Sequence, residues 1–371
     1  MLVDDRRNQA PVSLPEGAED AIRALLRHSV PQNTADALRS DWDRFHSWCG
    51  ANGYASMPAA PEVLQWYVTA HANAITESGA WMYAPSTLAR WVSSINTRHT
   101  SAGLEAPGRH PAVTATLRAL RRARAATPAR RAPLLVDDAR TIVGHARFTA
   151  ATAPQMLGER RDTAILLLGL AGALRRSEIV ALTGSDVRKH PADGLYLTIR
   201  RSKSDKHSKG RTVTIPRGDD IDTCPVCALH RWVETLTAWN THGAEAAHRT
   251  ATQNPAPTEH VCTTTELHIH HLGHLFRRIT KSGTIGPQPL TGQSVCAIVK
   301  RRAAQAGYNE TQVAQLGAHS LRAGFVTQAV RAGATAQMIM TQTGHTDERM
   351  VRLYSRQHAG LEGNAVTTLG L

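Results

Sequence analysis

The stretch HSLR occupies residues 319–322, TGH follows at 343–345, and Tyr354 lies nine residues after His345. Two imidazoles and a guanidinium suit the charged oxygens of a phosphodiester, because both groups donate charge-assisted hydrogen bonds. A tyrosine with a free hydroxyl can act as the attacking group. This stretch predicts phosphate chemistry near the C-terminus, and the rest of the chain has to supply the remaining groups.

Length and charge narrow the class of protein. A chain of 371 residues is long for one hydrophobic core, so we expect two domains. Lysine and arginine number 43 against 30 acids, and the formal net charge of +13 predicts a polyanionic partner. The 5 cysteines fit a reducing compartment, and no apolar run approaches the roughly 18 residues of a membrane span. We therefore expect a soluble cytoplasmic, nucleoid-associated protein with no membrane partner.

The first third of the chain has helical periodicity. Residues 1–19 are interpreted as a flexible arm, and 20–126 as an all-helical domain. Its helices begin near Thr34, at Pro61, at Pro85 and at Pro111, and proline is well tolerated in a first helical turn. No strand-like alternation is found before residue 190. A linker is predicted at 127–133, and a second domain at 134–371.

A basic segment leads into this linker. It contains six arginines and no acid: Arg118, Arg121, Arg122, Arg124, Arg130 and Arg131. The overall charge favours contact with a phosphate backbone between two domains that clamp a duplex. The alternative is a solvated, basic helix end.

The second domain combines helices with a small sheet. Strands are predicted at 195–199 and 212–215, on either side of a basic, polar hairpin tip. Residues 241–265 are interpreted as a loop. Helices are predicted at 136–148, 161–173, 225–239, 267–281, 291–306, 311–316, 320–332, 336–343 and 348–354.

Five short motifs in a fixed order resemble the tyrosine recombinases, the phage integrase family. They are GALRRSE at 172–178, RSKS at 201–204, HSLR at 319–322, GH at 344–345, and Tyr354. The resemblance implies a mainly α fold, with a helical core-binding bundle followed by an α-rich catalytic domain carrying a small antiparallel sheet. It also implies a site-specific DNA recombinase of a mobile genetic element. Four copies would act on two DNA duplexes through a Holliday junction.

The same resemblance assigns roles that fit the chemistry of each residue type. Arg175 and Arg322 would neutralise the nonbridging oxygens, although the neighbouring Arg176 competes with Arg175. Glu178, three residues after Arg175, would brace a catalytic group or form a simple helix salt bridge.

The remaining roles concern proton transfer and attack. Lys203 would protonate the leaving 5′-oxygen, with Lys206 and Lys209 as alternatives on the same hairpin. His319 and His345 would hydrogen-bond the phosphate, and His319 could assist proton transfer from the tyrosine. The hydroxyl of Tyr354 would form a 3′-phosphotyrosyl bond, which stores the energy for rejoining without ATP.

Neither a metal nor another cofactor is expected. Cys224 and Cys227 form half of a structural zinc motif, but no second C-x-x-C follows and Cys262 stands alone, although His260 or His230 could contribute. The two cysteines are interpreted as reduced thiols at a helix start. Two alternative functions remain: a type IB topoisomerase-like enzyme or hairpin resolvase with the same site, and a DNA-binding accessory protein that has lost catalysis.

Overall fold

A computed structural model describes most of the chain and divides it into two compact units, Met1–Ala129 and Arg130–Leu371. The division lies within the segment 127–133. None of the helices in the described ranges combines the length and hydropathy that crossing a membrane requires. The described residues are 15, 17, 18, 20–22, 32–124, 131–190, 192, 194–200, 210–253, 259–264, 267, 269 and 271–352.

The first unit is a bundle of helices, as predicted. Among the helices within 32–124, those that begin at Pro61, Pro85 and Pro111 open on a proline, whose fixed φ and missing N–H suit a first turn. Phe45, Leu64, Tyr67, Leu88 and Trp91 are almost fully buried at its centre. Within 32–124 the helices are α1 (Gln32–Ala51), α2 (Pro61–Ala72), α3 (Pro85–Ser101) and α4 (Pro111–Ala123), with a 3₁₀ turn at Pro107–Arg109.

The second unit is built round a helix that is buried along nearly its whole length. This helix, Ala153–Ala171, contains the leucine-rich run predicted as a core. The α-helices of this unit are α5 (Val136–Thr149), α6 (Ala153–Ala171), α7 (Arg176–Ala181), α8 (Pro225–Gln253), α9 (Val261–Thr264), α10 (Gly292–Gln305), α11 (Glu310–Gln315), α12 (Ala318–Arg331) and α13 (Ala336–Thr343).

A three-stranded antiparallel sheet follows α7. Its strands are β1 (Val187–His190), β2 (Gly194–Ile199) and β3 (Arg211–Ile215), and β2 lies between the other two. The two predicted strands are confirmed, with Leu197 opposite Val213. The expectation of no strand before residue 190 is wrong for β1. Only its first residue, Val187, is buried, so this edge strand shows no apolar alternation.

Two further predictions in this unit are wrong. The proposed helix at 267–281 is not helical at the residues that are described, which lead into an antiparallel hairpin, β4 (Arg277–Ile279) and β5 (Ile285–Pro289). Gly283 has a φ of 86°, which suits the turn between these strands and ends a helical pattern.

The loop predicted at 241–265 is largely helical where it is described. Helix α8 continues to Gln253 through a kink at Gly243, because Ala247 and Ala251 pack against Leu157 of α6. The helix predicted at 348–354 is helical over 348–352, and its last two residues lie outside the described part of the chain.

Candidate active site

A buried carboxylate, that of Glu178, holds two arginines in the second unit. Arg175 precedes α7 and donates from Nη1 to Oε1 of Glu178 at 2.8 Å, while its backbone N–H donates to Oε2 at 3.0 Å. Arg211, the first residue of β3, donates from Nη2 to the same Oε2 at 3.1 Å. The Glu178 side chain is fully buried. Burial raises its pKa, but the Arg175 N–H bond and the two guanidinium charges outweigh this and lower the pKa overall.

Arg175 rather than Arg176 is the inward-facing member of the pair. Its side chain is 20% exposed and bonded to Glu178, whereas Arg176 is an exposed residue of the helix surface. The spacing of three residues places Glu178 one turn along α7, where its carboxylate can accept from the residue that caps the helix.

Helix α12 supplies the second predicted arginine. Arg322 is buried and donates from Nη1 to the carbonyl oxygen of Ala173 at 2.8 Å. Ala173 has a φ of 48°, an uncommon conformation for a residue with a side chain, and it turns the chain between α6 and Arg175. His319 is exposed and lies one turn before Arg322 on α12. The two predicted side chains therefore share one face of the helix.

His345 is positioned by the end of α13. Its Nδ1 lies 3.1 Å from Oγ1 of Thr343, and that hydroxyl donates its own proton to the Ile339 carbonyl at 2.7 Å. Since a hydroxyl has one proton to give, Nδ1 of His345 must be the donor in this contact. In the neutral imidazole the lone pair is then on Nε2.

A glycine makes this turn possible. Gly344 ends α13 with a φ of 65°, and a Cβ at this position would lie only 2.9 Å from Nε of Arg211. A side chain here would meet both an unfavourable backbone conformation and a close approach. Arg211 also donates from Nη1 to the Gln342 carbonyl at 2.8 Å, so β3 and α13 are joined beside His345.

The electrostatics of His345 show which predicted residues come together. Burial lowers its pKa, and the charges of Arg322, Arg175, His319 and Arg211 lower it further, to about 4. These groups act on one imidazole because they lie around it. Arg175, His319, Arg322 and His345, which are far apart in the sequence, are thus gathered in one cationic cluster suited to an anion.

Arg211 is the member of this cluster that the sequence analysis missed. Along β3 it lies on the same side as Val213 and Ile215, both buried, while Thr212 and Thr214 are exposed. Successive side chains of a strand point to opposite faces, so an arginine two and four residues before two core residues lies on their buried face. A buried arginine needs an acidic partner. This alternation is a signal that could have identified it.

Two predicted catalytic residues lie outside the described ranges. Lys203 and its alternatives, Lys206 and Lys209, belong to 201–209, and Tyr354 belongs to 353–371. Their roles stay predictions.

The predicted DNA-contacting arginines behave differently from one another. Arg118, Arg121 and Arg122 are exposed on α4. Arg124 instead donates to the Ala72 carbonyl and stacks over Trp81, with 3.6 Å between its Cζ and the ring centroid. Arg131 donates to the Ala314 carbonyl, and Arg130 is outside the described residues. The phosphate-contacting role stays a prediction for all six.

Comparison with known proteins gives a consistent result. A sequence model of the phage integrase family matches residues 146–360, more than half of the chain. An integrase/recombinase xerD homolog of Selenomonas ruminantium is 29% identical over 349 residues, which cover 93% of this chain and 87% of that protein.

Solved structures show the same fold. The Tn1549 transposon integrase in complex with transposon right end DNA has a TM-score of 0.54 at 14% identity, covering 95% of this chain and 98% of that one. A lambda integrase dimer bound to a COC′ core site has a TM-score of 0.50 at 14% identity, covering 92% and 95%. The predicted fold class, mainly α with small antiparallel sheets, is confirmed.

Proposed function

The chain belongs to the phage integrase family, and we propose that it breaks and rejoins DNA through a 3′-phosphotyrosyl intermediate formed on Tyr354. Family membership makes it an enzyme, a site-specific DNA recombinase of the tyrosine type. The proposal adds the chemical route and the residues that perform it, with no metal and no ATP in the reaction.

The cationic cluster around His345 is the observation that carries this proposal. Burial and four cationic or imidazole groups combine to lower the pKa of His345 to about 4. Positive groups held this close repel one another, so they stabilise a negative charge that enters between them. A phosphodiester has such a charge, and the charge on its nonbridging oxygens grows as a fifth ligand approaches phosphorus.

Each residue then has a step in the reaction. The Tyr354 oxygen attacks phosphorus, the bond to the 5′-oxygen breaks, and Lys203 gives its proton to that oxygen. Arg175 and Arg322 hold the nonbridging oxygens. In the reverse step a 5′-hydroxyl of the partner strand attacks the phosphotyrosine and releases Tyr354, so the number of phosphoester bonds is unchanged.

His319 and His345 differ in the proton transfers and hydrogen bonds that each can make. His319 is exposed and can take the tyrosine proton, as proposed for a general base. His345 is neutral with its Nδ1 proton directed at Thr343, so its Nε2 becomes a donor to phosphate only after a proton is taken up. The bound phosphate supplies the negative charge that favours this uptake.

Double-stranded DNA is the proposed partner, and the net charge of +13 supports it. The Tn1549 and lambda integrases are both seen with DNA. We assign the core-binding role to the helical unit at 20–126, catalysis to 134–371, and a homotetramer on two duplexes to the active assembly. A recombinase of cellular DNA would work in the cytoplasm, at the nucleoid.

A strand-transfer assay distinguishes this function from its nearest alternative. A site selected from a randomised duplex pool is placed on two DNAs of different length, each with its own label. Recombination predicts products that carry both labels. Relaxation of a supercoiled plasmid without exchanged products would instead favour a topoisomerase-like enzyme.

A further inference from the structure

Three thiols and one imidazole, none of them assigned to catalysis, meet at the start of α8. Their Sγ and Nδ1 or Nε2 atoms all lie within 4.8 Å of one another, and the three cysteines are buried. We propose that they bind one structural Zn²⁺ ion as a Cys₃His cluster, formed by Cys224, Cys227, His260 and Cys262. The site is independent of the proposed recombination chemistry.

The distances match the edges of a zinc tetrahedron. Zn–S bonds of about 2.3 Å and Zn–N bonds of about 2.0 Å give S···S edges near 3.8 Å and S···N edges near 3.5 Å. The Sγ atoms of Cys224 and Cys262 are 3.9 Å apart. Nδ1 of His260 lies 3.4 Å from Sγ of Cys227 and 3.8 Å from Sγ of Cys262. The other donor pairs lie within 4.8 Å, so one ion at the centre would contact all four donors after shifts of at most about 1 Å.

Neighbouring backbone groups orient the ligands as they do in structural zinc sites. Nε2 of His260 lies 3.3 Å from the Asp219 carbonyl, so it is protonated and leaves the Nδ1 lone pair for the metal. The Gly218 N–H donates to Sγ of Cys224 at 3.4 Å. Cys224 directly precedes α8 and Cys227 lies in its first turn, so both thiols lie at the same helix end.

The ligand set favours zinc over other ions and over a disulfide. Three thiolates and an imidazole in a tetrahedral arrangement suit Zn²⁺, whereas Mg²⁺ and Ca²⁺ require oxygen ligands. All five cysteines are free, and a distance of 3.9 Å between Cys224 and Cys262 is far beyond a sulfur–sulfur bond of about 2.0 Å.

The cluster would hold together segments that lead to the active site. Gly218 follows β3, which carries Arg211, and Cys262 precedes the segment that pairs with the end of α7. In that segment the Leu275 N–H donates to the Leu182 carbonyl at 2.9 Å. Removing the ion should therefore lower stability first and cleavage activity only as a consequence.

Metal analysis of the purified full-length chain tests the site. We expect about one zinc per chain, and a colourless protein that gains the visible bands of tetrahedral Co²⁺ and a thiolate charge-transfer band on exchange. His260→Ala should lower zinc affinity at least about tenfold, and His260→Cys should keep the ion as a Cys₄ site. Cys296→Ser, outside the cluster, is the matched control and should keep full zinc.

Folding of each variant is checked by circular dichroism and by DNA binding, so that loss of zinc is not confused with loss of structure. Wild-type protein without zinc that also takes up no Co²⁺ would overturn the proposal. So would zinc retained equally by Cys227→Ser and His260→Ala. A thiol titration in denaturant should find all five cysteines reduced, and a count of three would show a disulfide in place of the metal.

Discussion

Arg211 and Arg175 share one carboxylate: Nη2 of Arg211 lies 3.1 Å from Oε2 of Glu178, whose Oε1 accepts from Arg175 at 2.8 Å. Arg211 also bonds the Gln342 carbonyl, two residues before Gly344. It therefore acts as a positioning residue, which fixes Arg175 through Glu178 and fixes the backbone that leads to His345.

Substituting Arg211 by lysine should slow cleavage by about 10- to 100-fold while DNA affinity changes little. Lysine keeps the charge but has no planar fork, so it cannot bond Glu178 and Gln342 together. Single-turnover cleavage and equilibrium binding on the same duplex separate the two effects. Arg188→Lys, on the exposed face of β1, is the control. If Arg211→Lys and Arg188→Lys lose the same amount of cleavage rate, or if Arg211→Lys loses only DNA affinity, Arg211 does not act as a positioning residue.

His345 predicts a defined pH dependence of stability. Its pKa is about 4 in the folded chain and near 6.5 when unfolded, so the unfolded state binds more protons between these values. As pH falls from 6.5 to 4, His345 should lower the free energy of unfolding by less than about 3.4 kcal/mol, because the ring is only partly buried and solvent screens its charge. The contribution is absent above pH 6.5.

Denaturant unfolding of the wild type and of His345→Gln at several pH values measures this contribution. The difference between the two free energies should change across that window and level off on both sides. Parallel curves would show that His345 is not held neutral. Duplex DNA added to both proteins should shift the wild-type transition upward in pH, because a phosphate favours the protonated imidazole.

The choice among the hairpin lysines can be made with a modified substrate. Lys203→Ala should cut a normal phosphodiester at least about 100-fold more slowly, because it removes the general acid. A 5′-bridging sulfur leaves as a thiolate and needs no proton, so the same variant should cut that substrate at nearly the wild-type rate. Lys206→Ala and Lys209→Ala are the matched controls. If the sulfur substrate restores the cleavage rate of Lys206→Ala or Lys209→Ala but not that of Lys203→Ala, the restored variant identifies the general acid in place of Lys203.

The exposed arginines of α4 predict a salt effect. Replacing Arg118, Arg121 or Arg122 by alanine should reduce the slope of log affinity against log salt by about 0.9 for each phosphate that the guanidinium neutralises. The loss of DNA affinity should be similar for the specific site and for DNA of unrelated sequence. Arg39, also exposed but facing Asp36 at 3.6 Å, is the control in the same helical unit. Unchanged slopes in all three alanine variants would show that α4 is a solvated surface.

The sequence predicted most of the architecture because helical periodicity and the position of prolines are local signals. It failed where tertiary packing decided the outcome. Leu275 and Phe276 directly precede β4 and are buried, and apolar residues at these positions fit a helix as well as a connection packed on the core. The later part of α8 is polar in composition and becomes helical through the packing of Ala247 and Ala251.

The residues of the candidate site also differ in whether the sequence alone could identify them. Arg175 and Arg322 belong to compact motifs that identify them without a structure. Arg211 stands alone in a strand, and its role depends on a carboxylate 33 residues earlier. The Cys₃His cluster is equally nonlocal, because Cys227 and His260 lie 3.4 Å apart but are separated by 33 residues in the chain.

A suicide substrate tests whether Tyr354 forms a covalent bond with DNA. A duplex carrying the selected site is nicked just downstream of the cleaved phosphate, so that the short 5′ fragment diffuses away and rejoining fails. The wild type should accumulate a protein–DNA adduct attached through its 3′-phosphate, with the nucleotide on the peptide that contains Tyr354. Tyr354→Phe should bind the duplex normally and form no adduct. An adduct that persists in Tyr354→Phe, or its absence from wild-type protein that binds the site, would show that Tyr354 is not the nucleophile.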